Sequence, residues 1–518
     1  MVSFGNPGRK TSHWRNSVFP AVLLSGLTPT VFSAEVTFTK VTLTSKYFTE
    51  AVAYGDFNHD GKLDVTSGSY VYVGPNFTEK YQVANFAEVT NLENAWAAVW
   101  QEFGYDINGD GWDDKVIINS AGNGKAFWYE NPKNTTSLWQ SRNAFPRIDG
   151  ETPIFTDITG DGKPEFVGLS NNVYGYAAAD WNNPNSAWTF HKISSQPCAN
   201  THGMGSGDVN NDGRIDLIIK DGWHEQPASL AGDPEWVFHP FNFVAPITGC
   251  SQGPAQLYAY DVNGDGRNDV ITAINAHGWG LAWFENKDDG AGGITFEKHT
   301  IMGSDQEVST YGAAFSQPHG VSLADVDGDG LVDILAGKRW MVHGSGNQDP
   351  DAKGDPVIYW FQLKRGADGS ATYTPHLIDN KSGIGVFIAT ADLNGDGFMD
   401  VMAGGKYGAY VHMQVPREGT GVKKPIRSHF GSPFAFSKGD GNGMVVTTYS
   451  AAGTPTFLDI YSTTGKKIRT LSSLSDNSHQ NTIQWDGRSQ TGMKVIPGLY
   501  LFRVRAGKQS AAKTFLVE

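Results

Sequence analysis

Short apolar runs alternate with acidic, glycine-containing turns through residues 35–415, and this alternation is the strongest signal in the sequence. The runs after the turns are rich in β-branched residues, as at 116–118 and 217–219, and those before the turns alternate apolar and small residues, as at 321–324. Runs of this length and composition predict β-strands. The predicted unit is therefore strand, acidic turn, strand.

The acidic turns share a nine-residue pattern, D-x-N-x-D-G-x-x-D, which recurs seven times. Self-similarity at a spacing near 50 residues indicates repeated supersecondary units, each of which buries its apolar face against a neighbour. The third copy is degenerate, with Thr159 at position 3 and Glu165 at position 9. The copies begin at Asp56, Asp106, Asp157, Asp208, Asp261, Asp325 and Asp392.

Oxygen ligands at positions 1, 3, 5 and 9 of each turn suit Ca²⁺, and the glycine at position 6 allows a sharp turn. A helix–loop–helix calcium site needs Glu at position 12, where these copies have apolar or small residues. The alternative is a set of ordinary Asp/Asn/Gly turns without metal. The predicted calcium ligands are Asp56, Asn58, Asp60, Asp64, Asp106, Asn108, Asp110, Asp114, Asp157, Asp161, Glu165, Asp208, Asn210, Asp212, Asp216, Asp261, Asn263, Asp265, Asp269, Asp325, Asp327, Asp329, Asp333, Asp392, Asn394, Asp396 and Asp400.

These repeats resemble the FG-GAP/VCBS family, whose calcium-turn repeats form β-propeller blades. The resemblance covers residues 35–415 and implies an all-β fold, a seven-bladed β-propeller. It implies little about activity, because propellers carry unrelated functions.

The net charge of −14 argues against a nucleic-acid partner. Seven bound Ca²⁺ ions would add 7 × 2 = 14 positive charges and balance the −14. The acidity is therefore explained by metal binding more than by a charged substrate.

Residues 1–34 have the features of an export signal: Lys10 and Arg15 precede an apolar run that ends near Ala34. Pro20 and Pro29 interrupt the run, so no transmembrane span is predicted. Export makes a disulfide between Cys198 and Cys250, the two cysteines, an open alternative to two buried thiols.

Residues 416–442 are rich in Gly, Ser, Lys and Pro and are predicted to be a linker. Short alternating runs over 443–518 predict a small Ig-like β-sandwich. The sequences W-D-G at 485–487, G-L-Y at 498–500 and K-T-F-L-V at 513–517 resemble C-terminal sorting domains of type IX secretion substrates. The resemblance implies export across the outer membrane of a Gram-negative bacterium by the type IX machinery, to a secreted or cell-surface location. An accessory carbohydrate-binding sandwich is the alternative.

Histidines recur at the end of the predicted hairpins opposite the acidic turns. Six residues before the first Asp, about 20 Å along a strand, stand His202 in copy four and His319 in copy six. Eight residues after the closing Asp stand His224 in copy four and His277 in copy five. Three imidazoles from neighbouring blades predict a Zn²⁺-type site at His202, His277 and His319. The alternative is that each histidine is a hydrogen-bonded packing residue.

Several segments around these histidines resemble the propeller part of aldos-2-ulose dehydratases, including 1,5-anhydrofructose dehydratases. They are H-G-M-G at 202–205, D-G-W-H-E-Q-P at 221–227, A-H-G-W-G at 276–280, Q-P-H at 317–319 and G-K-R at 337–339. The resemblance implies elimination of water from a keto-sugar, with zinc near the propeller site. The fungal members carry cupin domains after the propeller and this sequence has none, so the resemblance does not carry over a second isomerisation step that relies on a cupin.

In this hypothesis the metal polarises the ketone, and Lys338 or Arg339 places positive charge beside the enolate. The candidate bases are His224, Glu225 and His343, and Tyr407 assists the departing hydroxyl. Trp96, Trp100 and Glu102 are the corresponding candidates in the first blades. Two other functions stay open, a non-catalytic glycan-binding or adhesion propeller and a polysaccharide lyase.

Overall fold

The protein is described here by a computed structural model. The described residues are 35–120, 124–195, 202–244, 253–344, 349–416, 434–438, 444–449, 455–462, 466–474, 480–495, 498–506 and 509–517. The predicted signal peptide, Cys198 and Cys250 lie outside them. Helical structure among these residues is confined to the 3-10 turn Asp305–Glu307 and the short helix α1 (Val308–Tyr311). The fold is therefore all-β. Among the helices described, none is long and apolar enough to cross a membrane.

Strand β1 precedes the first acidic turn, and each turn then joins the first two strands of a hairpin module. The strands up to the third module are β1 (Phe38–Thr44), β2 (Ala53–Gly55), β3 (Asp64–Ser67), β4 (Tyr70–Tyr72), β5 (Lys80–Gln82), β6 (Gln101–Tyr105), β7 (Asp114–Ile118), β8 (Gly124–Glu130), β9 (Gln140–Thr156), β10 (Glu165–Ser170), β11 (Val173–Ala178) and β12 (Thr189–Ser194). The long strand β9 ends module two and begins module three, so these two modules form one seven-stranded sheet.

Modules four to seven continue the pattern with β13 (Met204–Gly207), β14 (Asp216–Ile219), β15 (Gly222–Glu225), β16 (Val237–Pro240), β17 (Leu257–Tyr260), β18 (Asp269–Ala273), β19 (Leu281–Asp288), β20 (Ile294–Met302), β21 (Pro318–Ala324), β22 (Asp333–Lys338), β23 (Ile358–Arg365), β24 (Ala371–Asp379), β25 (Ile388–Ala391), β26 (Asp400–Gly405) and β27 (Gly408–Gln414). Parallel pairing of β13 with β17 joins modules four and five into an eight-stranded sheet. Module seven takes its fourth strand from the other end of the chain, because β1 pairs antiparallel with β27.

The apolar side chains of the modules are buried between modules. Seven clusters among the described residues each combine consecutive modules; Ile271 and Leu323, for example, share a cluster across modules five and six. The cluster of Val52 and Val411 joins module one to module seven. The first strands also approach one another, since β2 lies against both β6 and β25. Each module therefore depends on its neighbours for burial, as the repeat pattern predicted.

Side-chain amides connect neighbouring acidic turns. Asn286 donates to the backbone carbonyls of Val209 in the preceding turn (3.0 Å) and Asn268 in its own turn (2.9 Å). Asn131 makes the equivalent pair of bonds to Phe57 and Asp113. Each such amide satisfies two buried carbonyl groups and sets the position of one turn relative to the next.

The C-terminal part forms two antiparallel sheets from β28 (Phe434–Lys438), β29 (Met444–Tyr449), β30 (Pro455–Ser462), β31 (Lys467–Leu474), β32 (Gln480–Trp485), β33 (Gly498–Ala506) and β34 (Gln509–Val517). Residues of both sheets, including Leu458, Trp485 and Phe502, share one buried cluster, which is the arrangement of a β-sandwich. Strand β28 lies within residues 416–442, so the sheet structure begins before the end of the predicted linker.

Candidate metal centre and adjoining cavity

The acidic turns are built by local hydrogen bonds. The Asp56 carboxylate accepts the N–H groups of Asp60 and Gly61, both at 3.0 Å, and Gly61 has the positive φ of 81° that such a tight turn requires. The closing Asp64 accepts N–H groups from Asn58 (3.2 Å) and Gly74 (2.9 Å). The backbone thus orients the first and the last carboxylate of the turn.

The electrostatics of these turns suit a bound cation. Burial raises the pKa of the closing carboxyls, that of Asp114 to about 8 and those of Asp216 and Asp269 to about 7, and neighbouring carboxylates of the same turn raise it further. In the third turn, Asp157, Asp161 and Glu165 hold ligand oxygens within 4.8 Å of one another. The degenerate copy therefore keeps a compact carboxylate group.

The opposite end of the modules carries the histidines, and we call it the histidine end. His202 lies two residues before β13, His319 lies at the start of β21, and His277 lies in the turn after β18. Glu151, in the middle of β9, completes a group of four whose ligand atoms all lie within 4.8 Å of one another. Modules three, four, five and six therefore each supply one ligand atom to this group.

The distances within the group are short. His202 Nε2 lies 2.8 Å from His277 Nε2 and 3.2 Å from Glu151 Oε1, and His319 Nε2 lies 3.2 Å from Glu151 Oε2. In a tetrahedral zinc site with bonds of about 2.05 Å, ligand atoms are about 3.3 Å apart. The three imidazoles are buried, and Nδ1 of His202 and of His277 has no hydrogen-bond partner among the described residues.

The protonation of His319 follows from its neighbours. Its Nδ1 lies 2.6 Å from the carbonyl oxygen of Ala276, which only accepts, so Nδ1 carries the proton. Burial lowers the pKa of His319 to about 4, although the hydrogen bond to Glu151 acts in the opposite direction. Nε2 lies 3.2 Å from a carboxylate oxygen of Glu151, a contact that is favourable with either a proton on Nε2 or a metal cation bound to both atoms. A histidine oriented by a backbone carbonyl is also a typical arrangement at metal sites.

Glu151 is ionised and firmly held. Burial opposes ionisation, but His202 and His319 hold the pKa of the Glu151 carboxyl well below its usual value. Arg339 NH1 lies 3.4 Å from Glu151 Oε2, and the same guanidinium binds the Glu50 carboxylate through NH2 at 2.9 Å. Tyr47 donates its hydroxyl to Glu50 in a short hydrogen bond. A buried arginine thus bridges two carboxylates from modules one and three.

A cavity of about 220 Å³ adjoins the group at Glu151 and Arg339. Trp100 stacks on the Arg339 guanidinium at 4.6 Å, and Trp96, 47% exposed, donates its indole N–H to the Val342 carbonyl at 3.0 Å. The remaining lining residues are Ala97, Ser120, Val342 and His343. Two indoles therefore flank the cavity beside the histidine group.

His343 lines the cavity, and its ring is held by Asp349 at one ring nitrogen and by His277 on one face. Its Nδ1 lies 2.9 Å from Asp349 Oδ2, and its ring stacks on His277 with centroids 4.1 Å apart and planes 9° apart. Because lone pairs lie in the ring plane, two parallel stacked rings do not share one ion. The group of His277, His343 and Asp349 is therefore a hydrogen-bonded stack and not a second metal site.

Several predicted site residues lie elsewhere. The count of eight residues after Asp216 was expected to place His224 at the histidine end. Strand β14 is only four residues long, however, and the chain has turned back into β15 before it reaches His224. His224 instead pairs with Leu217 and contacts Phe238 in the core, and Glu225 lies at the acidic-turn end, bonded to His239 at 2.8 Å. The prediction that His224 and Glu225 serve as bases beside the three histidines was wrong.

The predicted cations are already paired. Lys338 Nζ donates to Ser316 Oγ (2.6 Å) and to the Asp351 carbonyl (2.7 Å), and its side chain is fully buried. With Arg339 bonded to Glu50 and Glu151, neither residue presents a free charge to a substrate. Tyr407 lies edge-on to Trp340, with centroids 5.3 Å apart, and is not among the residues that line the cavity.

Three groups at the histidine end were missed by the sequence prediction, namely Glu50, Glu151 and Asp349. The sequence spacing did contain a signal for Glu50 and Glu151. Glu50 stands six residues before Asp56 and Glu151 six before Asp157, the same offset that identified His202 and His319. Trp100 stands at this offset in copy two. Glu102, by contrast, forms a buried ion pair with Lys115 at 2.8 Å, within module two.

Comparison with known proteins supports the repeats. The FG-GAP-like repeat model matches residues 106–168, 157–219 and 261–336. No curated protein matches the chain. Among solved structures, the chain is similar to the Tc holotoxin pore of Photorhabdus luminescens, at 15% identity and a TM-score of 0.34. That match covers 81% of this chain but only 18% of the toxin chain. It is also similar to PorZ, a surface component of the type IX secretion system of Porphyromonas gingivalis, at 11% identity and a TM-score of 0.24, covering 91% of this chain and 70% of that one.

Proposed function

We propose that the seven modules close into a seven-bladed propeller with Ca²⁺ in its acidic turns. The pairing of β1 with β27 and the apolar cluster between modules one and seven support closure. The raised pKa values of the closing carboxyls support cations, because a bound ion offsets the burial, and to a smaller extent the repulsion within each turn, that disfavour the ionised form. Calcium would then be a structural cofactor.

We further propose that Glu151, His202, His277 and His319 hold a Zn²⁺-type ion. The donor set of three imidazoles and one carboxylate is one that zinc accepts in proteins. The convergence of the four ligand atoms within 4.8 Å of one another supports this assignment most directly, together with the unpartnered Nδ1 atoms of His202 and His277. A bound ion of this kind supplies Lewis acidity towards a carbonyl oxygen.

The function that this site supports best is dehydration of a keto-sugar, as a secreted carbohydrate lyase. The single observation that carries it is the juxtaposition of the histidine group with a small cavity flanked by Trp96 and Trp100. Indole faces suit sugar rings. The cavity is smaller than the roughly 300–1,000 Å³ of pockets for drug-sized ligands, which favours a monosaccharide over a polymer.

In this proposal the residues of the chain orient the sugar and move one proton. His343 is the predicted base that lines the cavity, and Asp349 orients it through Nδ1. Its Nε2 would accept the proton from the carbon α to the ketone and deliver the same proton to the β-hydroxyl, which would leave as water. The product is an enone. The enclosing indoles restrict water around the enolate.

A direct test is incubation of the zinc-loaded protein with 1,5-anhydrofructose or a 2-keto-hexose, with ultraviolet absorbance of the enone as readout. We expect His277→Ala to abolish turnover while its melting temperature in excess calcium falls by no more than about 4 °C, equivalent to roughly 1 kcal/mol. His299→Ala is the matched control, because His299 lies in the same module and stacks on Trp283 away from the group. Folded, zinc-loaded wild-type protein without absorbance would refute dehydration of these sugars.

A second candidate is glycan binding without chemistry, favoured by the half-exposed Trp96 at the cavity. Retention on a glycan array with unchanged ligand would support it. A polysaccharide lyase acting on uronate polymers is less favoured, because it needs a free cation for the carboxylate and both Lys338 and Arg339 are paired.

We also propose that the C-terminal sandwich directs export by the type IX machinery to the cell surface or the medium. The G-L-Y sequence opens β33, and the K-T-F-L-V sequence closes β34, so the motifs lie on the two paired strands at the end of the chain. Removal of residues 443–518 should leave the protein in the periplasm of a type IX host. Unchanged surface delivery of the truncated chain would refute the proposal.

A further inference from the structure

Arg339 is a fully buried cation beside the histidine group, and its guanidinium is bound by two carboxylates of the chain itself. Its side chain is 1% exposed, and the Glu50 carboxylate it binds is 0% exposed. The guanidinium uses Nε (3.2 Å) and NH2 (2.9 Å) on Glu50, which leaves NH1 for Glu151 at 3.4 Å. Such a two-sided fork is a geometry that arginine provides and lysine does not.

The other contacts of this arginine restrain it further. Trp100 covers one face of the guanidinium at 4.6 Å. The indole N–H of Trp100 in turn donates to the backbone carbonyl of Glu151 at 3.1 Å. Tyr47 donates its hydroxyl to Glu50 Oε1, the same oxygen that accepts Arg339 NH2, and itself accepts the Ala97 N–H at 3.0 Å. Every group that holds Arg339 is therefore itself held.

We propose that Arg339 is a positioning residue that aims the Glu151 carboxylate at the metal ion, and that Glu151 is the fourth ligand beside the three histidines. We call Tyr47, Glu50, Trp100 and Arg339 the carboxylate clamp. The clamp draws its members from modules one, two and six, whereas Glu151 belongs to module three. This inference rests on the proposed metal centre and replaces the expected role of Arg339 as a charge beside the enolate.

The chemical reason for a clamp is the freedom of the carboxylate. The imidazoles are stiff and buried, but a glutamate has three rotatable bonds and two equivalent oxygens. His202 lies 3.2 Å from Oε1 and His319 3.2 Å from Oε2, so rotation of the carboxylate changes which oxygen reaches an ion. Residues that orient metal ligands in this way typically change metal affinity 10- to 100-fold when removed.

The test uses metal binding and no sugar. The full chain is stripped of transition metals with phenanthroline in excess calcium, so that the acidic turns stay filled, and is then titrated with Co²⁺ while the visible d–d absorption is recorded. We expect Arg339→Lys to keep the positive charge but to weaken Co²⁺ binding by roughly 10- to 100-fold and to alter the spectrum. Glu151→Gln should alter both at least as strongly.

Lys338→Met is the matched control, because Lys338 is the preceding residue, is equally buried and binds Ser316 and Asp351 instead of Glu151. We expect its Co²⁺ affinity and spectrum to match wild type. If Arg339→Lys does not fold, the double variant Arg339→Met with Glu50→Gln removes both charges of the buried pair and tests the clamp instead. We expect the same loss of Co²⁺ affinity from it.

Wild-type affinity and spectrum in a folded Arg339 variant would overturn the clamp and leave the metal centre standing. An unchanged spectrum in Glu151→Gln would overturn the fourth ligand. Failure of the wild-type protein to bind Co²⁺ would instead refute the metal centre itself, and absence of enone formation in a protein that binds Co²⁺ normally would concern the proposed reaction alone.

Discussion

The two ends of the hairpin modules differ in how far their groups are separated along the chain. At the acidic-turn end, Asp56 and Asp64 stand in one nine-residue turn and backbone N–H groups of that turn orient them. At the histidine end, Arg339 binds Glu50 across 289 residues and Glu151 across 188. The first arrangement repeats because it is local. In the part of the chain that the structure describes, the second occurs once because it needs several modules in contact, which suits a function more than a repeated structural role.

The largest expected effect comes from removing calcium. A ligand at 100 times its dissociation constant stabilises a fold by about 2.7 kcal/mol per site, so loss of several ions should lower the melting temperature by roughly 10 °C or more. Phenanthroline, which leaves calcium in place, should shift it far less. Differential scanning calorimetry with a calcium chelator and, separately, with phenanthroline measures the two shifts in melting temperature. Equal shifts would contradict the division of the two ends into structural and functional metal sites.

A smaller effect is expected from a buried charge in the interior of the modules. Lys115 and Glu102 are both 0% exposed, and Lys115 also donates to Thr66 and to the Gly68 carbonyl of module one. Lys115→Met leaves Glu102 uncompensated and should destabilise the fold by about 3–5 kcal/mol. Chemical denaturation in excess calcium measures it.

The companion double variant, Lys115→Met with Glu102→Gln, should recover much of that stability because no buried charge remains unpaired. Neither variant should change Co²⁺ affinity once folded. A change in Co²⁺ affinity would show that this ion pair influences the histidine end, although it lies in the interior of the modules.

The smallest effect on stability is expected at the cavity. Trp96 is half exposed, so Trp96→Ala should change the free energy of unfolding by about 1 kcal/mol or less, while sugar affinity or KM worsens about 5- to 10-fold through the lost indole face. Isothermal titration with a keto-sugar measures the affinity. Leu138→Ala is a control of similar exposure outside the cavity; an equal loss of affinity there would argue against stacking on Trp96.

The sequence predicted the repeated unit well, because periodic β-branched runs and nine-residue turns are local features. It also predicted that His202, His277 and His319 come together, from a count of six residues before a turn for His202 and His319 and eight residues after a turn for His277. It misplaced His224 and Glu225 because the length of β14 is decided by where the chain can turn, which no residue count supplies. It overlooked Glu151 because the offset was applied only to histidines.

The sequence by itself determined the strands, the acidic turns and the heights of His202 and His319, because each of these depends on residues close together in the chain. Only the tertiary structure decided which modules adjoin, and hence that Arg339 bridges Glu50 and Glu151 and that Trp100 covers it. The physical reason is that burial pairs each charge with whichever opposite charge the packing brings near, and packing between modules is a property of the whole chain.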